Sequence, residues 1–186
     1  LAFTFGLGGL AIFPLRFGAT ATLLETATPP NMIGIIEKFK ATVCFTAPTA
    51  YRAMLAAMKE GADLSSLRAA VSAGETLPAP VYDQWIQQTG KPMLDGIGAT
   101  EMLHIFVTNR FTDHRPACTG KPVTGYEAKI IGEDGRDLPA GVARRAAATC
   151  AASARTNTCV MAGTSRAMPS RWMQTGISTL PHAMTT

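Results

Sequence analysis

The sequence has few charged residues, few aromatic residues and no clustered cysteines. Charged residues make up 16% of the 186 positions and aromatic residues 7%, whereas 47% are hydrophobic. Disordered chains carry more charge and less hydrophobic surface, so the composition favours a packed core. The cysteines show no C-x-x-C pair and no metal-ligand spacing, which indicates reduced thiols in a cytoplasmic protein. They are Cys44, Cys118, Cys150 and Cys159.

Basic runs and long apolar runs are also missing. The net charge is only +4, and no basic run is longer than Arg144-Arg145, so no nucleic-acid partner is expected. The apolar stretch from Leu1 to Leu15 is shorter than the roughly 18 residues of a membrane span and lacks the basic start of a signal peptide. We therefore expect no membrane association. Because the sequence opens inside a pattern and without Met, we expect a fragment of a longer protein.

Over residues 1–141, short apolar runs alternate with segments of helical periodicity, which is typical of an α/β fold. A turn at Glu133-Asp134-Gly135 predicts a hairpin after the last strand. The predicted helices cover residues 31–39, 49–58 and 80–88. The predicted strands cover residues 20–24, 42–46, 69–72, 91–94 and 126–131.

Two loops of small residues each follow a predicted strand: Ser72–Pro78 (S-A-G-E-T-L-P) and Asp95–Glu101 (D-G-I-G-A-T-E). Glycines let the backbone approach a ligand closely, and exposed N–H groups there favour anions. The Thr100 hydroxyl can donate to a phosphate oxygen, and the Glu101 carboxylate suits Mg²⁺. Loops from successive strands form the crevice in which α/β folds bind ligands. The residues alone thus leave two alternatives: a phosphate site, or a tight strand-exit turn with a solvated Glu101.

The sequence around the second loop resembles a known family. Gly98–Glu101, G-A-T-E, resembles the G-x-T-E element of the adenylate-forming acyl-CoA synthetases, the AMP-binding enzymes. The string Asp95–Phe106, D-G-I-G-A-T-E-M-L-H-I-F, resembles the aryl branch, benzoate-CoA and 2-aminobenzoate-CoA ligases. Residues 1–9, 45–52 and 120–123 resemble the same branch. The resemblance runs to about Gly141 and implies part of the adenylate-forming large domain, with mixed sheets flanked by helices.

The resemblance implies a role for each matched position. Thr100 would contact the α-phosphate of ATP or of the acyl-adenylate, and Glu101 would hold Mg²⁺. The residues that would flank adenine are Ala73, Gly74, Glu75, Asp95, Gly96 and Ile97. The residues that would line the aryl-carboxylate pocket are Thr4, Phe5, Gly98 and His104. Benzoate-type members have Ala-Tyr in place of Thr4-Phe5, so this chain leans toward 2-aminobenzoate or another substituted benzoate.

Several side chains have a structural interpretation beside the functional one. From the residues alone, His104 is more often a packed core residue, whereas the resemblance makes it a pocket wall. His114 and His182 lack obvious partners and are expected at the surface. Met54 and Met58 are expected in the core. The dipeptide Tyr51-Arg52 is consistent with a solvated helix face.

The reaction that the resemblance implies has two steps. A small aromatic carboxylate attacks the α-phosphate of ATP, with Mg²⁺ neutralising charge, and gives acyl-AMP and pyrophosphate. The thiol of CoA then displaces AMP. The family's phosphate loop and its C-terminal lid with a catalytic lysine do not occur in this sequence, so we expect the chain alone to be inactive. The alternatives are a non-catalytic module that binds nucleotide or benzoate, and a piece of a ligase for aliphatic acids.

The composition changes after Gly141, and residues 142–186 are expected to be disordered or irregular. An out-of-frame origin is a second interpretation. Combining the last base of each codon with the first two of the next, the junctions from Gly141 to Cys150 permit R-G-P-T-G-C-R-Y-L. Those from Asn157 through Met168 permit Y-V-R-D-G-W-N-V-T-G-D. Both resemble the continuation of the family, so the hypothesis is a frameshift near Gly141, with Trp172 exposed in an unselected tail.

Overall fold

The computed structural model describes residues 3–58, 61–131, 136–137, 145–149 and 158–164. The chain divides into two compact units, Leu1–Gly125 and Tyr126–Thr186. Within the described ranges, no helix has both the length and the apolar character needed to cross a lipid bilayer.

The first unit opens with three consecutive helical segments. These are α1 (Phe3–Leu7), a π-helical turn (Gly8–Ile12) and α2 (Phe13–Phe17). The π turn ends two residues before Pro14, which cannot donate a backbone hydrogen bond and whose ring crowds the preceding turn, so the helix widens there. Gly18 adopts the left-handed conformation (φ 63°) and ends α2.

A five-stranded sheet with the spatial order β1-β2-β3-β4-β5 forms the centre of the first unit. The first three strands run parallel, and the pairs β3–β4 and β4–β5 are antiparallel. The strands are β1 (Val43–Thr46), β2 (Ala69–Ser72), β3 (Met93–Gly98), β4 (Ile105–Thr108) and β5 (Lys121–Pro122).

Three helices accompany the parallel part of the sheet: α3 (Pro29–Phe39), α4 (Pro48–Ala57) and α5 (Ala79–Thr89). Each carries proline in its first turn, where the missing N–H has no intrahelical partner to lose. The Thr28 hydroxyl accepts the Asn31 N–H and caps α3. Because α4 and α5 connect successive parallel strands, the unit is an α/β fold with a mixed sheet.

The core lies where α3, α4 and α5 meet the sheet. Tyr51 and Trp85 are fully buried, and their rings make an edge-to-face contact at 4.9 Å. The Tyr51 hydroxyl lies 2.7 Å from the carbonyl oxygen of Cys44 and 3.0 Å from that of Val71, so it joins β1 to β2. Burial raises the pKa of the Cys44 thiol to about 11, which keeps it neutral.

The glycines at the end of β3 explain how one strand joins two kinds of sheet. Residues up to Asp95 pair in parallel with β2, and those from Gly96 pair antiparallel with β4. A Cβ at Gly96 would come within 2.7 Å of the Ile105 side chain, and one at Gly98 within 2.8 Å of the His104 carbonyl oxygen. Glycine is therefore required for β4 to approach.

The second unit contains a three-stranded sheet with the order β6-β8-β7, in which β6 and β8 are parallel and β7 and β8 antiparallel. Its strands are β6 (Glu127–Ile131), β7 (Arg145–Thr149) and β8 (Thr158–Thr164). Strands β7 and β8 lie within residues 142–186, for which the sequence predicts no regular structure. Neither contains proline, and β8 includes three β-branched residues, which favours a strand. The hairpin turn predicted at residues 133–135, together with Trp172 and His182, lies outside the described residues.

Three sequence predictions in the first unit are wrong. The strand predicted over residues 20–24 has no regular structure, and no strand among the described residues pairs with it. Tyr51 is fully buried instead of lying on a solvated helix face. His114 is half-buried, with Nδ1 2.6 Å from the Tyr82 hydroxyl.

The prediction for β3 is too short, because the strand continues through its glycines to Gly98. The other elements predicted within residues 31–94 are confirmed to within one or two residues at each end.

Replacing Tyr51 by Phe tests the link between β1 and β2. The variant leaves two carbonyls without their hydroxyl donor, so we expect the free energy of unfolding to fall by about 1–3 kcal/mol. Tyr82→Phe is the matched control, with a smaller expected loss because the half-buried His114 ring can bond to water instead. Urea denaturation followed by circular dichroism measures both. Equal losses in the two variants would contradict this role of the Tyr51 hydroxyl.

Candidate functional site

The parallel pairing of β1, β2 and β3 ends at the same level in all three strands. Thr46 is the register partner of Ser72, and Ser72 is the register partner of Asp95. The segments that follow them therefore emerge side by side at the carboxyl edge of the sheet, where α/β folds place their ligands. Both small-residue loops singled out in the sequence lie at this edge.

The loop after β2 is anchored at both ends and exposed in the middle. Ala73 and Leu77 are buried, whereas Gly74 and Glu75 are exposed. Gly74 has φ 90°, a conformation that favours glycine, and a Cβ there would meet no atom within 4 Å. The Glu75 carboxylate accepts a hydrogen bond from the Thr49 hydroxyl at 3.1 Å. The Gly74 backbone thus faces open space while the next side chain is held against α4.

Asp95 brings a buried carboxyl group to this edge. Its exposed fraction is 7%, and burial raises its pKa to about 6, against a smaller lowering by the Ser72 hydroxyl and the Gly96 N–H. Ser72 itself is fully buried. In the described part of the chain, neither Ser72 Oγ nor Asp95 Oδ1 completes a hydrogen bond of ordinary geometry. Two adjacent polar atoms are therefore available to a donor or a water molecule.

The residues after β3 form a tight turn that presents Thr100 and Glu101 to solvent. A 3-10 helix covers Thr100–Met102, and the Leu103 N–H donates to the Thr100 carbonyl. Leu103 has φ 68°, and the Ala99 N–H donates to the His104 carbonyl at 3.3 Å, which closes the turn. Hydroxyl and carboxylate are thereby exposed together, directly after the glycine-rich end of β3.

His104 packs against the N-terminal helical segments. Its Nε2 lies 3.2 Å from the carbonyl oxygen of Phe5, and its ring contacts Phe5 at 5.6 Å and Phe13 at 4.6 Å. The ring occupies the space that a side chain at Gly8 would need. Burial lowers the pKa of His104, so the ring is neutral near pH 7, and Nε2–H donates to the Phe5 carbonyl.

The structure brings the predicted site residues into two neighbouring groups. One is the strand-edge group, with Ala73, Gly74, Glu75, Asp95, Gly96 and Ile97. The other surrounds His104, with Phe5 beside the ring and Gly98 against its carbonyl. Thr4 is half-buried in α1, directly before Phe5. Two cavities of about 310 and 300 Å³ lie elsewhere, around Ile33 and around Leu64, and none of the predicted residues lines either one.

Glu101 fits only one kind of magnesium site. Among the described residues, no cluster of three or more His, Cys, Asp or Glu side chains could hold a metal. Mg²⁺ is commonly bound by one or two carboxylates plus substrate phosphates. An exposed Glu101 beside the Thr100 hydroxyl fits this arrangement, with a phosphate supplying the remaining oxygen ligands.

Sequence reasoning missed the residues that support the site through tertiary contacts. Thr49 holds Glu75, and Phe13 and Phe45 pack around His104 and Phe5. Nothing in the local sequence of Phe13 distinguishes it from other apolar residues. For Thr49 there was a signal, since Thr49 and Glu75 each lie three residues beyond the paired strand ends Thr46 and Ser72.

Comparison with known proteins identifies the family. The model of the AMP-binding enzyme family matches residues 1–143. The chain belongs to this family. The benzoate–CoA ligase of Thauera aromatica is 45% identical over 148 residues, which cover 77% of this chain and 28% of that protein. The anthranilate–CoA ligase of Pseudomonas aeruginosa is 35% identical over 137 residues, covering 73% and 26%.

A solved structure supports the same family assignment. The anthranilate CoA ligase AuaEII in complex with anthranoyl-AMP matches with a TM-score of 0.71 and 45% identity, over 78% of this chain and 28% of that one. The architecture is therefore that of part of an adenylate-forming enzyme, and its relatives are aryl-carboxylate CoA ligases. The chain spans little more than a quarter of the length of these relatives.

The buried Asp95 carboxyl predicts a pH dependence of stability. Because the folded chain holds this proton up to a pKa of about 6 and the unfolded chain only to 3.8, the free energy of unfolding falls as the pH rises between these values. Asn at position 95 stays neutral and removes the effect. Relative to the wild type, Asp95→Asn should therefore gain up to about 3 kcal/mol between pH 4 and pH 7.

Urea denaturation at several pH values measures this difference, and Asp63→Asn is the control. The hydrogen bond from Lys40, followed by those from Ser65, holds the pKa of the exposed Asp63 below its usual range. The contribution of Asp63 to the free energy of unfolding is lost mainly as the pH falls below its ordinary pKa of 3.8. The control should therefore keep the wild-type slope between pH 4 and pH 6. The same slope in Asp95→Asn as in the wild type would contradict the assignment.

Proposed function

We propose that this chain is part of an aryl-carboxylate CoA ligase and carries portions of its adenylate and aryl sites. The complete enzyme joins ATP, a benzoate-type acid and CoA to give aryl-CoA, AMP and pyrophosphate. The observation that carries the proposal is the position of the Thr100–Glu101 turn. It lies between the glycine-rich strand edge and His104, whose ring packs among Phe5 and Phe13.

The residues divide the chemistry between them. The Thr100 hydroxyl would donate to the α-phosphate, and Glu101 would hold the Mg²⁺ that neutralises phosphate charge when it is bound. The backbone around Gly74 and from Asp95 to Ile97 would flank adenine. The ring of the aromatic acid would lie against Phe5, Gly98 and His104, with Thr4 nearby. His104 is neutral near pH 7, so it contributes shape and polarity rather than a positive charge.

The substrate class follows from the aromatic surroundings of His104. Phe5 lies edge-to-face with Phe45 at 5.9 Å, and Phe13 makes an edge-to-face contact with the His104 ring at 4.6 Å. Flat aromatic surfaces of this kind stack well on an aromatic acid and less well on a flexible alkyl chain. Among aromatic acids, the dipeptide Thr4-Phe5 favours 2-aminobenzoate or another substituted benzoate. We also propose a cytoplasmic location, which the free thiols of Cys44 and Cys118 support.

Binding of stable acyl-adenylate analogues to the 186-residue chain tests the proposal. We expect calorimetry to detect 2-aminobenzoyl- and benzoyl-sulfamoyl-adenosine, with a hexanoyl analogue weaker. Thr100→Val should weaken binding about 10-fold or more, because a hydrogen bond to a charged group contributes about 1.5–3 kcal/mol. Thr112→Val, at an exposed threonine outside the site, should bind like the wild type.

Turnover is measured separately, as pyrophosphate release with ATP, Mg²⁺, CoA and 2-aminobenzoate. We expect essentially none from this chain, which spans about a quarter of its relatives, since even one missing transition-state donor typically costs about 100- to 1,000-fold in rate. No binding of any aryl analogue, or tighter binding of the hexanoyl analogue, would refute the proposal.

We further propose that the family sequence ends near Gly141 and that residues 142–186 derive from an adjacent reading frame. The family match that ends at residue 143 supports this boundary, as does the ordered set of family-like residues that the codon junctions permit. Sequencing the encoding DNA checks it. We expect the neighbouring frame to encode R-G-P directly after Gly141 and T-G-D further on. A neighbouring frame without these motifs would exclude the frameshift.

A further inference from the structure

The hydrogen bond between Thr49 and Glu75 joins the start of α4 to the loop after β2, and the two residues are 26 positions apart in the chain. The distance from Thr49 Oγ1 to Glu75 Oε1 is 3.1 Å. Thr49 lies in the first turn of α4, and Glu75 lies in the middle of the loop between β2 and α5. Both residues are exposed, so burial does not explain the contact.

Strand register brings this pair together. Thr46 and Ser72 are direct partners at the ends of β1 and β2, and the bonded residues stand three positions beyond each of them. The segments that follow β1 and β2 therefore leave the sheet side by side. The bond fixes the β2 loop at its most exposed part, next to Gly74, between the buried anchors Ala73 and Leu77.

The start of α4 attracts the Glu75 carboxylate for a second reason. Its N-cap residue is Ala47, which offers no side-chain acceptor, and its first turn contains no acidic residue. Helix N-termini are stabilised by negative charge, because the first N–H groups lack intrahelical partners. Glu75 supplies that charge from a different part of the chain. The Glu75 carboxylate therefore interacts with the start of α4 and has a supporting role.

We propose that Thr49 and Glu75 form a clamp that fixes the Gly74 loop for the adenine-containing ligand. Both are then positioning residues, and the ligand contacts come from the loop backbone at Gly74. The inference rests on the proposed function for the nature of the ligand, whereas the clamp itself is a property of the free chain. A loop ordered before binding loses less entropy when the ligand arrives, so the clamp strengthens binding.

Thr49→Val removes the hydroxyl and keeps the branched shape, and Thr49→Ser keeps the hydroxyl. In the free chain, ¹⁵N relaxation should show order parameters for Gly74, Glu75 and Thr76 falling from about 0.85 in the wild type to below about 0.6 in Thr49→Val. Binding of 2-aminobenzoyl-sulfamoyl-adenosine should weaken about five-fold in the same variant, the equivalent of one ordinary hydrogen bond. Thr49→Ser should restore both values.

Thr28→Val controls for a general loss of stability. It removes the hydroxyl that caps α3, away from the strand edge, so it should lower the melting temperature and leave the Kd for the analogue unchanged. Order parameters that do not change in Thr49→Val would overturn the clamp. Lower order parameters with an unchanged Kd would overturn the positioning role. If the wild type binds no analogue, the proposed function fails and the positioning role fails with it, while relaxation still decides whether the clamp exists.

Discussion

The parallel pairing of β1, β2 and β3, which ends at one level, is the constraint on which the rest of the site depends. Parallel register fixes Thr46, Ser72 and Asp95 in one row, so whatever follows each strand must emerge beside its neighbours. The Tyr51 hydroxyl maintains that row from within, because it bonds to carbonyls of two of these strands. Short loops without secondary structure of their own can then occupy defined positions, since their starting points are set by the sheet.

The same row explains why polar groups are buried at this edge. Ser72 and Asp95 occupy strand positions that face the same side, and the sheet forces them together whether or not they satisfy each other. A carboxyl group in this position keeps its proton to a higher pH than usual. Incompletely satisfied polar groups in a protein interior cluster at sites of function, where a ligand or a water molecule completes their bonding.

The parts of the fold that the sequence predicts well are those governed by local rules. Proline at a helix start and apolar periodicity locate α3, α4 and α5 closely, and β2 is predicted to the residue. The failures arise where distant residues decide. Residues 20–24 have strand-like composition but no neighbour to pair with, and Tyr51 is buried because two strands supply acceptors for it. The site motifs were visible in the sequence, whereas the support from Thr49 depends on strand register and that from Phe13 on tertiary packing.

His104 takes part in two structures at once. Its ring rests on the N-terminal helical segments through Phe5 and Phe13, and its carbonyl closes the turn that carries Thr100 and Glu101. If the proposed aryl pocket is right, the side chain that contacts the incoming acid is thus joined, through a single residue, to the backbone of the turn that carries Thr100 and Glu101. The proposed function then implies that a substitution of His104 that alters acid preference also shifts the Thr100–Glu101 turn, so that a change in selectivity here carries a cost in rate.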